Sequence, residues 1–315
     1  MKLLFVADPL HSFKTYKDST FAMMREAQAR GHRVCACEAS SLRWRQGEKV
    51  TARVEHMQLT GREDDWWTSL TQNDQPLAEF DAVVMRKDPP FDTEYLYTTY
   101  LLGQAERDGA RVFNRPLALR EHPEKLAILE FPQFITPTLV SSDMVALRTF
   151  HTEHRDVILK PLDGMGGAGI FRVKDDGLNL GSILEMLTLM GSRTIMAQRY
   201  LPAIAQGDKR VLVIDGEPVP YALARIPQGG EVRGNLAAGG LGVAQPLSER
   251  DMEIASTLGP ILASRGLLLV GLDIIGDCLT EINVTSPTCF QEITQQTGWD
   301  VAVRFVDALE SKLSA

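Results

Sequence analysis

Cysteine is scarce in this chain of 315 residues, and the four present (Cys35, Cys37, Cys278 and Cys289) form no C-x-x-C pair and no metal-binding spacing. That excludes a zinc ribbon and a disulfide scaffold; the four read as small buried hydrophobes of a reducing, cytoplasmic compartment. Long apolar runs are missing too. The opening "MKLLFVADP" is apolar only from Leu3 to Ala7 before Asp8 interrupts it, so it reads as a first strand and not as a leader. No later stretch approaches membrane-spanning length. Excess positive charge is absent: the net charge of −8 argues against a general nucleic-acid binder, although a local basic pocket remains compatible with it. His11, His32, His56, His122, His151 and His154 show no triad or metal arrangement, and Ser286 lacks a G-x-S-x-G elbow. Serine hydrolysis and histidine-metal chemistry are thereby set aside.

What is present is strand–helix alternation. "KLLFVAD", "HRVCACE", "DAVVMRK" and "ARVFN" read as strands, with the amphipathic "STFAMMREAQARG" between the first two. This pattern predicts a parallel α/β sheet whose ligands lie beyond the carboxyl ends of its strands, where Asp8 and "MRKDPP" fall. From about residue 124 the pattern turns to α+β. A short helix begins in "PEKLAILEF", a helix lies near 142–154, and another near 178–190 precedes the strand "TIMAQRYLP". "KRVLVIDGEPVPYALARI" reads as a hairpin turning at Asp215-Gly216. A helix runs from an N-cap at Ser248 to Gly266, two apolar strands follow, and a closing helix spans about 299–313. The expected division is an α/β domain over 1–122, a subdomain over 123–200 and a last subdomain over 201–315.

"VILKPLDGMGGAGIFRV" (157–173) carries Gly164, Gly166 and Gly169 in the dinucleotide fingerprint G-x-G-x-x-G. The fingerprint requires a helix directly after the glycines. Here Ile170 to Val173 alternates like a second strand. No Gly-Lys-Ser/Thr closes the run either, so it is not a Walker loop. The remaining readings are an ordinary glycine-rich turn, or a hairpin flap whose Gly164, Gly166 and Gly167 backbone folds over a nucleotide, with Lys160 just before it.

"GLDIIGDCLTEINVTSPT" (271–288) places Asp273 on one strand and Glu281 and Asn283, two apart and so on one face, on the next. Two carboxylates and an amide oxygen among apolar residues form a hard oxygen set. Such a set suits magnesium shared with nucleotide phosphates and does not suit zinc. Lys125 and Lys160 are candidate phosphate contacts. Arg210 and Arg225 lie on the two arms of the hairpin and suit carboxylate or phosphate oxygens. Asp208 is either a ribose acceptor or a turn residue.

The order of these residues resembles the ATP-grasp superfamily. "RKDPPFDTEY", "KPLDGMGGAGIFRV", "RIPQGGEVRGNLAAGG" and "GLDIIGDCLTEINVTSPT" are similar, within it, to the bacterial-type glutathione synthetase family, from Asp8 to roughly residue 290. The resemblance implies an ATP-grasp fold: an N-terminal parallel α/β domain and two α+β subdomains clasping ATP. It implies an ATP-dependent ligase joining γ-glutamylcysteine and glycine through an acyl phosphate, with magnesium as cofactor and manganese as a substitute. By position, Lys125 and Lys160 would bind phosphates, the segment of Gln198, Tyr200 and Leu201 adenine, and Asp208 ribose. Asp273, Glu281 and Asn283 would bind metal, and Arg210 would stabilise the tetrahedral oxyanion. Arg86, Arg225, Ser286 and Thr288 would position the peptide. Relatives imply a homotetramer, with neither nucleic acid nor membrane as partner.

An acyl phosphate must be kept from water. The glycine-rich segment 226–242 offers a lid, with Arg233 expected to close over the reacting groups. Two rivals differ from this reading. One is another ATP-grasp carboxylate–amine ligase, joining D-alanines or adding glutamate to a protein; the other is a non-catalytic nucleotide-binding protein.

Overall fold

The computed structural model describes residues 1–314 except 63, 230–233, 235, 237 and 238. The first third comprises β1 (Lys2–Ala7), α1 (Ser19–Ala29), β2 (Arg33–Glu38), β3 (Thr51–Leu59), β4 (Trp67–Pro76), β5 (Ala82–Met85), α2 (Thr93–Arg107), β6 (Val112–Phe113) and α3 (Pro116–Glu121). Its six-stranded sheet has the order β4-β3-β2-β1-β5-β6. β2, β1, β5 and β6 are parallel, as the alternating sequence predicts. β3 and β4 extend the sheet antiparallel, so its edge is a hairpin the sequence reading does not contain. β1 is apolar on both faces for a reason: Leu3 and Phe5 pack with Met23 and Met24 of α1, while Leu4 and Val6 meet Tyr95 and Leu102 of α2. Asp18 and Asp92 start the two helices by accepting from the amides of Phe21 and Tyr95.

The middle of the chain holds β7 (Thr138–Ser141), α4 (Met144–His154), β8 (Val157–Pro161), β9 (Phe171–Val173), α5 (Leu180–Thr188) and β10 (Ile195–Arg199). The four strands form an antiparallel sheet, order β7-β10-β8-β9. β8 and β9 flank the glycines, so a strand and not a helix follows them, and the Rossmann reading is excluded by geometry. Alternation sorts the two faces. Val157, Leu159, Ile195 and Ala197 join Leu147 and Leu184 of the helices, which turns Ile158, Lys160 and Gln198 the other way.

The last third contains β11 (Asp208–Ile214), β12 (Glu217–Ile226), β13 (Leu241–Pro246), α6 (Glu249–Ser264), β14 (Leu269–Ile275), β15 (Cys278–Asn283), α7 (Phe290–Thr297) and α8 (Val301–Ser314). Its five strands form an antiparallel sheet, order β13-β12-β11-β14-β15. Ser248 and Asp251 close a capping box on α6. Leu241 and Gly242 pair with Ile226 and Arg225 as strand residues, so both ends of the glycine-rich 226–242 segment belong to the sheet. α8 returns to the first third of the chain and packs along α1, whose Arg30 reaches Asp307 at 2.6 Å and Glu310 at 2.9 Å. Among the described residues no helix is long and apolar enough to cross a membrane, and all four cysteines are free.

Candidate active site

One face of the five-stranded sheet carries the charge, and its register explains how. Asp208 of β11 lies opposite Arg225 of β12; Arg210 lies opposite Asp273 of β14, which in turn lies opposite Glu281 of β15. Cross-strand partners share a face, so acids and bases interleave on it. A register shift after Asp273 leaves Thr280 unpaired, and the Thr280 hydroxyl donates to the Asp273 carbonyl at 3.1 Å. Arg210 clamps Asp273 through Nε at 2.5 Å and Nη2 at 3.0 Å. Arg225 Nη2 bridges Asp273 at 2.8 Å and Asp208 at 2.5 Å. Gly271 belongs to this arrangement, because a Cβ there would stand 2.8 Å from Cδ of Arg210.

The opposite wall comes from the middle sheet. Lys160 Nζ donates to the Thr280 carbonyl at 3.3 Å. Lys125 Nζ pairs with Glu281 at 3.1 Å and also donates to the Gly164 carbonyl, which ties the flap to the charged face. The flap turns through Gly166 (φ 61) and Gly167 (φ 83), a left-handed conformation that suits glycine. At Gly164 a Cβ would come within 2.9 Å of the Pro161 ring.

Between the walls runs a cleft of about 320 Å³. Lys125, Lys160, Gly164, Gly166, Gly167, Gln198, Tyr200, Leu201, Asp208, Arg210, Arg225, Asp273, Glu281, Asn283, Ser286 and Thr288 all line it. Arg86 does not. Its buried guanidinium donates to Thr20 Oγ1 at 3.0 Å and to the Pro287 carbonyl at 2.9 Å, and so braces the loop after β15 that carries Ser286 and Thr288. Arg233 lies outside the described residues.

The sequence reading missed Glu124, Thr136, Ile158, Ile204 and Ile275, which also line the cleft. One Glu124 oxygen accepts from the Val284 and Thr285 amides and the Thr285 hydroxyl. Burial and then the nearby Glu281 charge push its carboxyl up. Its position beside Lys125 was the available signal. Nothing distinguished the threonine and the isoleucines from ordinary core and surface residues.

The electrostatics divide the site. Desolvation works to raise Asp273, yet Arg210 and Arg225 outweigh it and hold the carboxyl well below the usual range. Asp208 is pushed up to about 6 by burial despite Arg225, and its buried Oδ1 has no hydrogen-bond partner among the described residues. Burial lowers Lys160 to about 8, with the Glu281 charge opposing. Its charge is thus costly until an anion arrives. Below pH 8 the lysine is protonated both folded and unfolded, and burying that charge costs stability. Between 8 and the ordinary 10.5 the folded form sheds its proton first, so stability rises with pH. Lys160→Met should therefore raise the nucleotide-free Tm by roughly 3–6 °C at pH 7, with the gain shrinking by pH 10. Differential scanning calorimetry at both pH values checks this; a gain that grows with pH contradicts it.

Glu281 and Asn283 share a face of β15, and the Asn283 amide nitrogen donates to the Gly271 carbonyl at 3.2 Å, which leaves its oxygen as an acceptor. Among the described residues no three His, Cys, Asp or Glu side chains already converge as a metal nest. Carboxylate and amide oxygens with no imidazole or thiolate nonetheless fit a hard divalent cation whose remaining ligands come from substrate and water.

Residues 124–298 match the family model described as prokaryotic glutathione synthetase, ATP-grasp domain, and residues 1–120 match that of the prokaryotic glutathione synthetase N-terminal domain. The chain is 63% identical over 310 residues to the glutathione synthetase of Ralstonia nicotianae, covering 98% of this chain and 95% of the relative. It is 54% identical to that of Pseudomonas aeruginosa, covering 100% and 99%. The D-cycloserine synthetase DcsG shares the fold with a TM-score of 0.70 at 17% identity over 99% of this chain and 100% of that one. The ATP-grasp ligase PsnB, solved with minimal precursor, Mg and ADP, does so with a TM-score of 0.63 at 20% identity, over 100% and 98%.

Proposed function

The chain belongs to the prokaryotic glutathione synthetase family and is an ATP-grasp ligase, and from that premise we propose that its cleft joins γ-glutamylcysteine to glycine at the expense of ATP. The observation that carries this reading is the meeting of two walls: flap and lysines on one side, a fixed Arg–Asp–Glu face on the other. Phosphoryl transfer requires positioning and charge neutralisation more than a protein nucleophile.

ATP would lie with its base near Gln198, Tyr200 and Leu201, its ribose at Asp208 and its phosphates under the flap near Lys125 and Lys160. Magnesium, for which manganese would substitute, would be held by Glu281 and Asn283 with Asp273. It would neutralise phosphate charge. The γ-phosphoryl group passes to the cysteinyl carboxylate and ADP leaves. The glycine amine then attacks the acyl carbon, loses a proton, and expels phosphate. Arg210, fixed by two hydrogen bonds to Asp273, is placed to meet the oxyanion of the tetrahedral species. Arg225, Ser286 and Thr288 would orient the peptide, with Arg86 bracing that segment through Pro287. We further propose the domain limits 1–122, 123–200 and 201–315, a closing role for Arg233, and assembly as a homotetramer in the cytoplasm.

ADP release measured with each substrate omitted in turn tests the reaction. Sustained release is expected only when γ-glutamylcysteine, glycine and ATP are all present. Equal release with D-alanine replacing both acceptor and donor would refute the assignment.

A further inference from the structure

We propose that Thr138 sets which purine the cleft accepts, by locking the Gln198 side-chain amide with its oxygen toward the base; the inference rests on the ATP reading above. Gln198 lies on β10 with Thr138 of β7 opposite it on one side and Ile158 of β8 on the other, so the three share one row of the cleft-facing surface. Gln198 is only 4% exposed, yet it lines the cleft.

A threonine hydroxyl has one proton to give. That of Thr138 goes to the Thr136 carbonyl, at 2.8 Å. Toward Gln198 the hydroxyl therefore presents lone pairs alone, and the amide must meet it with its NH2 group, at 3.0 Å. The amide oxygen is left at the other end as a fixed acceptor. Two residues before Thr138, and also lining the cleft, stands Thr136, 2% exposed, whose hydroxyl oxygen has no hydrogen-bond partner among the described residues. A buried polar atom without a partner calls for one, and a ligand group entering the cleft would supply it.

The surroundings suit a flat heterocycle: Ile158, Ile204 and Ile275 line the same cleft. Lys160 lies two residues along β8 from Ile158 on the same face, about 7 Å away, so base end and phosphate end are adjacent. A fixed acceptor favours the 6-amino group of adenine, which donates, and repels the 6-oxo group of hypoxanthine or guanine, which does not. The Thr136 hydroxyl supplies a donor for a ring nitrogen. Thr138 touches no substrate in this scheme; it is a positioning residue, and removing its hydroxyl frees the amide to rotate toward an oxo group.

ADP and IDP differ at the 6-position and at N1, which accepts in adenine and carries a proton in hypoxanthine. The change in their ratio between wild type and Thr138 variants, measured on the full-length protein by isothermal titration, therefore isolates the effect of the Thr138 hydroxyl. Wild type should prefer ADP by roughly a hundredfold, Thr138→Val should cut that ratio about tenfold or more, and Thr138→Ser should restore it. A general loss of packing would weaken both nucleotides alike and leave the ratio intact, and an intact ratio in Thr138→Val overturns the proposal. Equal affinities in wild type also overturn it. Binding of neither nucleotide overturns it together with the ATP reading, whereas selective ADP binding without ligation refutes only the proposed reaction.

Discussion

Glu281→Gln should reduce ligase turnover by about three orders of magnitude or more while the fold persists, because the change deletes a charge and almost no volume. Glu281 sits where three demands coincide: it pairs with Lys125 at 3.1 Å, faces Asp273 across the sheet, and in the proposed reaction would offer oxygen to a divalent cation. The amide keeps one oxygen donor but loses the charge that, in the proposed reaction, would draw metal and phosphates together. Steady-state rates at saturating magnesium, beside a thermal melt, decide the matter. Turnover within tenfold of wild type would remove Glu281 from the reaction. A collapsed melt would instead give it a structural role, since the buried ammonium of Lys125, 7% exposed, would then face only neutral oxygens there, those of the amide and the Gly164 carbonyl.

Arg225→Leu should do the reverse and damage stability as much as activity. Arg225 is 4% exposed, and its guanidinium holds two carboxylates, Asp208 and Asp273, within 2.8 Å. Breaking a buried ion pair by removing one partner leaves the other charge stranded, at a cost of about 3–5 kcal/mol. For a chain of this size the melting temperature should fall by roughly 6–10 °C. The sign of the pH effect follows from the two acids. Without Arg225, both should take up protons at higher pH than before. The wild-type advantage should therefore be greatest near neutrality and diminish as acid protonates Asp208, already near 6, and later Asp273. A variant that melts within 2 °C of wild type at pH 7.5 would show that the cluster is not under this constraint.

The charged face was legible because a strand alternates strictly. Glu281 and Asn283, two apart among apolar neighbours, had to share a face, and the register adds Asp273 and Arg210 opposite. Glycines after one strand and before another likewise read as a hairpin from Ile170 to Val173 alone. The edge strand β4 stayed hidden because "WTSLTQNDQP" has no apolar side to betray it; its middle residues are exposed, and only pairing with β3 makes it a strand. α7 was missed because it is short and begins after Cys289 in a left-handed conformation (φ 85), without a capping side chain. The part played by Arg86 is not local information at all. It depends on Pro287 arriving from the far end of the chain.

That return from the far end has a bearing on how the protein is made. Leu3 and Phe5 of the first strand share a cluster with Phe305 and Leu309 of α8, and Arg30 binds Asp307, Glu310 and the Val303 carbonyl. During synthesis the opening sheet therefore emerges from the ribosome with its α1 side only partly covered, and it stays so until nearly three hundred further residues have followed. Contacts so distant in sequence are slow to form because a long loop must close first. For that interval the amino-terminal third is the stretch of nascent chain most in need of a chaperone's cover, and a ribosome stalled late in the message would release it unfinished.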